Sequence, residues 1–223
     1  MAGLIVTIDG PAGSGKSTVA RLLAQRLGAS FLDTGAMYRA VTVAAMNAGV
    51  DMTNRKELAD VMDKTIFEFT AKANEMIVSV DGVDVTKQIR SEQVTANARF
   101  IAAAAELRAR LVRMQRQFAA GQEKIVTEGR DQGTVAFPDA HVKFYLTADA
   151  AERARRRFAE LKAKGGAASL EQTRRAIEER DRSDQNRDVG PLKPADDAVV
   201  VDTTCLNLEQ VVDKLFECVR DNA

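Results

Sequence analysis

Apolar positions along the first third of the chain switch between two periods. Residues 3–9, GLIVTID, form a short β-branched run that stops at Gly10-Pro11, as a buried strand entering a turn would. From Lys16 the spacing changes. Val19, Leu22, Leu23 and Leu27 recur at helical intervals, and Gly28 ends the pattern. SFLD (30–33) predicts a second strand, and TGAMYRAVTVAAMNAG (34–49) a second helix. Residues 66–86 alternate in short segments, IFEFTA, MIVSVDG and VDVT, separated by turn residues, which predicts a small antiparallel sheet. Helical spacing returns over SEQVTANARFIAAAAELRARLVRMQRQFAAG (91–121). Two strands, EKIVTEG and HVKFYLTA, follow, then two charged helices joined by the Gly/Ala/Ser stretch KGGAAS (164–169), a last strand DAVVVDTT and a last amphipathic helix NLEQVVDKLFECVRDN.

Strands alternating with helices over most of the length predict an α/β fold with a parallel, five-stranded sheet covered on both faces, three layers in all. The alternating segment interrupts that order and reads as a β-rich insertion at about 62–92. The chain of 223 residues suits one domain, 1–223, with the insertion and an arginine-rich segment at about 153–187 as its appendages. Apolar residues make up 45% and charged residues 29%, ordinary values for a soluble protein. The formal net charge is zero, so no global field draws in nucleic acid or an anionic membrane. Neither is expected as a partner, and a monomer is expected. Charge is nevertheless uneven, with nine arginines between Arg153 and Arg187. The two cysteines, Cys205 and Cys218, form no metal-type pair and are expected to be buried, reduced thiols, which suits a cytoplasmic location. The apolar run LIVTI is too short for a signal-peptide core.

The chemistry begins with GPAGSGKS (10–17), a full match to G-x-x-x-x-G-K-[ST] placed between a predicted strand and a predicted helix. In that setting the loop of Gly10, Pro11, Ala12, Gly13, Ser14 and Gly15, through its available backbone N–H groups, and the helix N-terminus, with Thr18 following, would surround the phosphates of ATP. Proline itself has no N–H to give. Lys16 would reach the β- and γ-phosphates, and the Ser17 hydroxyl would ligate Mg²⁺ together with the nucleotide. No guanine-reading N-K-x-D segment is present. Glu128 closes an apolar strand as in some ATPases, but the Gly129-Arg130-Asp131 that follows looks more like substrate contacts.

A second substrate is indicated by DTGAMYRA (33–40). Arg39 lies one helical turn beyond the DTG at a strand end, where α/β sheets place ligands, and a guanidinium can grip two phosphate oxygens at once. GPAGSGKST, DTGAMYRA, GRDQGTVAFPDA and RDRSDQNRDVGPL, in this order, resemble the bacterial cytidylate kinases, nucleoside-monophosphate kinases of the P-loop class, over essentially the whole chain. The resemblance implies transfer of the ATP γ-phosphoryl group to CMP or dCMP with Mg²⁺. It implies that Arg39, Arg130 and Arg187 hold the CMP phosphate, with Lys16, Arg130 and Arg187 forming the catalytic set. Asp33, Thr34 and Tyr38 belong to the same substrate motif. Arg180 and Asp184 would lie at the ribose, and Arg108 and Asp131 at the cytosine. A carboxylate accepts from the cytosine amino group and would face the uracil carbonyl oxygen to oxygen. On the ATP side the candidates are Arg153, Arg156 and Arg157, in a lid whose mobile points would be Gly165-Gly166 and the insertion. Where the family often carries a serine near the base, this chain has Arg99. His141, the single histidine, is expected to be structural. Kinases for another small acceptor, UMP or a shikimate-like acid, and a nucleotide-binding regulator without turnover remain open alternatives.

Overall fold

The computed structural model describes residues 3–72, 75–163 and 165–222. Five parallel strands form the central sheet: β1 (Leu4–Asp9), β2 (Ser30–Asp33), β6 (Lys124–Gly129), β7 (Val142–Thr147) and β8 (Val199–Asp202), in the spatial order β2-β6-β1-β7-β8. Parallel strands need crossovers, and helices supply them. These are α1 (Lys16–Leu27), α2 (Thr34–Asn47), α3 (Arg55–Lys64), α4 (Glu92–Ala103), α5 (Ala105–Ala120), α6 (Ala150–Ala163), α7 (Leu170–Gln185) and α8 (Leu208–Asn222). Because side chains alternate along a strand, neighbouring residues feed opposite cores. Phe31 and Val126 join Leu23, Phe144 and Leu215 under α1 and α8, whereas Leu32 and Ile125 join Met37, Leu107 and Leu111 under α2 and α5. The expected three-layer architecture is therefore present.

The insertion is a separate three-stranded antiparallel sheet of β3 (Phe67–Lys72), β4 (Glu75–Val80) and β5 (Val83–Asp84). Its buried face, Met76, Val78 and Val80, packs on the α2 side of the main core. Residues 73–74 of the expected insertion, Lys164 of the expected lid turn, and residues 1–2 and 223 of the expected domain lie outside the described residues.

Three local features depart from the sequence reading. The long helical pattern at 91–121 is two helices, because Ala104 adopts an extended conformation (φ −90°, ψ 107°) between α4 and α5. A run of four alanines carries no stop signal, so the break comes from packing. Helix α3 was not anticipated, although Asn54 caps it by accepting from the N–H groups of Lys56 (3.2 Å) and Glu57 (3.3 Å). The cysteines are a correction: Cys205 is exposed in the turn after β8 and Cys218 is partly exposed on α8, whose buried positions are taken by Val211, Val212, Leu215 and Val219. His141 does serve the fold. Its Nδ1 accepts from the Ile5 N–H at 3.1 Å, at the end of the sheet opposite the strand C-termini.

Candidate active site

The parallel register brings three acidic strand ends into one row. Asp9 pairs with Gly129 and Asp33 with Glu128, so the C-terminal edges of β1, β6 and β2 open on one crevice. The loop after Asp9 winds into α1 with Gly15 as its N-cap. Gly13 has φ +75°, and a Cβ there would sit 2.8 Å from the Arg153 carbonyl oxygen, so only glycine lets α6 approach the loop this closely. Lys16 is buried and folded over the loop, donating from Nζ to the Pro11 carbonyl at 2.6 Å and to Ser14 Oγ at 3.3 Å. Burial pushes its ammonium down to about 7. The neighbouring Arg130 adds to the shift, and Glu128 opposes it. Ser17 Oγ donates to Glu128 Oε1 at 2.7 Å. Glu128 thus belongs to the site, although the sequence reading set it aside. Its signal was visible: an acid closing a strand that runs parallel beside the loop strand. A hydroxyl and a carboxylate oxygen are hard donors that suit Mg²⁺, which commonly takes one or two protein oxygens plus substrate phosphates. Among the described residues no group of three or more His, Cys, Asp or Glu could hold a metal ion.

Helices α6 and α7 are tied to the loop at their near ends. Asp181 Oδ1 accepts from the Ala12 N–H at 2.9 Å, and its other oxygen pairs with Arg153. Arg153 donates in turn to the carbonyls of Ala12 (2.9 Å) and Ala148 (3.0 Å). Ala12, Ala154 and Ile177 close a small apolar contact around this clamp. Of the other two arginines expected on the ATP side, Arg156 is held by the Thr203 carbonyl (2.6 Å) and Oγ1 (3.0 Å) beyond β8 and by Glu152. Arg157 pairs with Glu160 at 3.0 Å and stays partly exposed.

Opposite the loop, three aspartates collect arginines. Asp33 caps α2 by accepting from the Ala36 N–H at 2.8 Å and also faces Arg39 (3.2 Å) and Arg90 (2.7 Å). Burial works to raise its pKa, but the two guanidiniums prevail and hold it below the usual carboxylate range. Asp184 receives Arg130 Nε at 2.7 Å and Arg187, and these likewise overcome burial and depress it. Asp131 pairs with Arg108, both nearly fully buried, yet burial leaves Asp131 above the ordinary range. Arg108 lies over the Tyr38 ring, 5.7 Å from its centroid, and burial pushes the Tyr38 phenol up to about 12. Arg180 is lowered to about 10, first by Arg130 and then by desolvation, with Arg39 and Arg157 contributing. Thr34 Oγ1 donates to the Glu128 carbonyl at 2.7 Å and joins the two strand ends.

Arg180 feels the charges of Arg130 and Arg39, Arg187 feels that of Arg130, and Arg130 and Arg180 both act on Lys16 across the crevice. Two guanidinium nitrogens in this group, Arg39 Nε and Arg108 Nε, are buried with no hydrogen-bond partner. Buried donors without a partner are uncommon in folded chains, so these two mark an unusual spot at the strand-end crevice. Arg99 does not join them. It is exposed on α4 with its guanidinium over the neighbouring Phe100 ring at 5.0 Å.

The turn carrying Arg130 and Asp131 is held from below. Both oxygens of buried Asp9 accept from backbone N–H groups, Gln132 at 2.9 Å and Gly133 at 2.8 Å. Residues Gln132–Ala136 form a π-type turn, closed by the Phe137 N–H donating to the Gln132 carbonyl at 2.7 Å. Such turns recur at functional sites because they re-aim side chains.

The fold and the crevice define a P-loop kinase-like protein with an arginine-lined pocket facing its phosphate loop. Residues 6–221 match the family model described as cytidylate kinase, and the chain belongs to that family. It is 46% identical over 219 residues to the cytidylate kinase of Stutzerimonas stutzeri, covering 97% of this chain and 95% of that one. It is 48% identical over 217 residues to that of Pseudomonas syringae pv. tomato, covering 95% and 93%. Among solved structures, the Thermus thermophilus protein TT1252 superposes with a TM-score of 0.51 at 19% identity, over 99% of this chain and 98% of that one. A gluconokinase from Sinorhizobium meliloti superposes with a TM-score of 0.50 at 14% identity, over 98% and 93%. These two likenesses concern the fold. Among the described residues no helix is long and apolar enough to cross a membrane.

Proposed function

We propose that this chain transfers the γ-phosphoryl group of ATP to CMP or dCMP. The observation that carries the reading is the gathering of Arg39, Arg130, Arg180 and Arg187 around buried carboxylates, facing Lys16 across the crevice. A dianionic acceptor phosphate would replace those carboxylates as the arginines' partner, brought in line with the triphosphate. Lys16 would swing from the Pro11 carbonyl to the transferring phosphate. Ser17 and Glu128 would hold Mg²⁺, directly or through water, and the ion would supply charge neutralisation at the β/γ bridge. The transition state of phosphoryl transfer is loose, so positioning and charge do most of the work and no strong base is required. The acceptor oxygen is already anionic.

Arg108 and Asp131 form the base end of the pocket in this reading. The carboxylate accepts from the cytosine amino group, and the guanidinium, with its unpartnered Nε, donates to the ring acceptors. Tyr38 and Thr34 support the acceptor wall, and Asp184 both orders two arginines and lies within reach of the ribose. The lid moves at its far ends, since Arg153 and Asp181 hold its near ends to Ala12.

A panel of acceptors with MgATP and coupled ADP detection tests the reading. CMP and dCMP are expected to exceed UMP and shikimate in kcat/KM, and Lys16→Ala is expected to remove turnover. Faster turnover of UMP or shikimate, or ADP release indifferent to CMP, would defeat it.

A further inference from the structure

Asp33 presents a difficulty for a phosphate pocket. It is a buried carboxylate beside Arg39, and a full negative charge there opposes a phosphate dianion while holding on to the guanidinium that should receive it. The bond lengths indicate how the conflict is resolved. Arg39 Nη2 reaches Asp33 at 3.2 and 3.4 Å, whereas Arg90 Nη2 reaches it at 2.7 Å. The shorter contact belongs to Arg90, so Asp33 has a second counter-ion besides Arg39, and Arg39 keeps its Nε buried and unpartnered.

Arg90 is also firmly placed. It ends a one-turn 3₁₀ helix, Gln88–Arg90, that leads from the small sheet into α4, and its neighbour Ile89 is fully buried in the core beneath α2. Its side chain remains about half exposed, at 48%, against 3% for Asp33. One guanidinium on the insertion thus reaches the floor of the acceptor pocket.

Building on the proposed role of Arg39 at the acceptor phosphate, we infer that Arg90 is a positioning residue that neutralises Asp33 so that Arg39 is free to grip the phosphate monoester of the incoming nucleotide. Arg90 acts through Asp33 and Arg39, without touching the phosphate. Charged hydrogen bonds of this kind correspond to roughly ten- to hundredfold in binding.

The test is a kinetic cycle of Arg39→Ala, Arg90→Ala and the double variant, with Arg90→Met as a less disruptive second substitution and Asp33→Asn/Arg90→Ala as the rescue. Arg90→Ala or Arg90→Met is expected to raise KM for CMP about tenfold, with kcat and KM for ATP within about twofold of the parent. In the Arg39→Ala background the same change is expected to add less than about twofold. Removing the Asp33 charge in Arg90→Ala is expected to bring KM for CMP most of the way back. A merely structural role would lower melting temperature without this rescue and without the split between CMP and ATP. If Arg39→Ala raises KM for CMP and both Arg90 variants leave it unchanged, the inference fails and the acceptor site stands. Effects that multiply in the double variant would make Arg90 a direct phosphate ligand and overturn the positioning role. An unchanged KM in Arg39→Ala would overturn the acceptor reading itself, and the inference with it.

Discussion

Asp131→Asn tests the base end of the pocket most directly. The wild-type carboxylate is paired with Arg108, and the two side chains are 6% and 4% exposed. Asparagine has nearly the same shape but replaces one acceptor oxygen by an amide donor. Two consequences follow from that single atom. The first concerns stability. Removing one partner of a buried pair costs about 3–5 kcal/mol when the other charge is stranded. Asparagine keeps one oxygen for Arg108, so a loss of about 1–3 kcal/mol is the better figure. For a chain of this size that corresponds to a fall in melting temperature of roughly 2–12 °C. The second consequence concerns specificity. The new amide can donate to the uracil carbonyl, which the carboxylate could only repel, and it no longer offers two acceptors to the cytosine amino group. A change of about 1–3 kcal/mol in relative transition-state binding reduces the CMP-to-UMP ratio of kcat/KM by about ten- to hundredfold. Initial rates with both acceptors, alongside a melting curve, measure both effects in one preparation. A folded variant whose CMP-to-UMP ratio stays within about twofold of the parent would refute the assignment of Asp131 to the base.

Gly190→Ala should damage the same pair from outside: Gly190 has φ +62°, and a Cβ there would collide with Arg108 Nη2 and Asp131 Oδ2. The expected result is a higher KM for CMP and a lower CMP-to-UMP ratio with KM for ATP nearly unchanged, measured by the same initial rates. Asp9→Asn should show a pH-dependent stability difference. Burial raises the Asp9 carboxyl to about 7 against the pull of the Gln132 and Gly133 N–H groups. Ionisation is therefore harder in the folded chain than in the unfolded one, and the parent loses stability as pH rises from the ordinary carboxylate range through about 7. The melting temperature of Asp9→Asn relative to the parent is expected to shift in the variant's favour between pH 5 and pH 8, and a flat or reversed difference would count against the shift.

The frame of the molecule was legible because it depends on short-range periodicity. GLIVTID, SFLD, EKIVTEG and HVKFYLTA are strands within about a residue of the expected bounds, and the alternating 66–86 segment is the three-stranded insertion. The phosphate loop was legible because its glycines and Lys16 act through local backbone geometry. What the sequence did not display is long-range pairing. That Ser17 meets Glu128, that Asp9 supports the turn after Asp131, and that Arg153 clamps Ala12 through Asp181 are contacts across 111, 123, 141 and 169 residues. No local pattern encodes them. Arg90 escaped notice for the same reason, since its partner Asp33 is distant in the chain. The break at Ala104 and the exposure of Cys205 were set by packing, against local propensity in the first case and against the usual burial of cysteine in the second.

One electrostatic arrangement links these contacts. The chain carries no net charge, yet its crevice concentrates arginines that would repel one another and pay heavily for burial if left alone. Four aspartates accommodate six of them: Asp33 with Arg39 and Arg90, Asp131 with Arg108, Asp181 with Arg153, and Asp184 with Arg130 and Arg187. Each pair keeps a guanidinium oriented before any nucleotide arrives, which reduces the ordering cost of binding. The pairs are not equivalent. Asp181 holds α6 and α7 to the loop, with one oxygen on Arg153 and the other on a backbone N–H, so it is built to stay. Asp33 faces Arg39 and Arg90, so in the proposed acceptor role Arg39 can turn to a phosphate while Arg90 still covers the carboxylate. In that role the second arginine on Asp33 would let an anion enter without uncovering a buried negative charge.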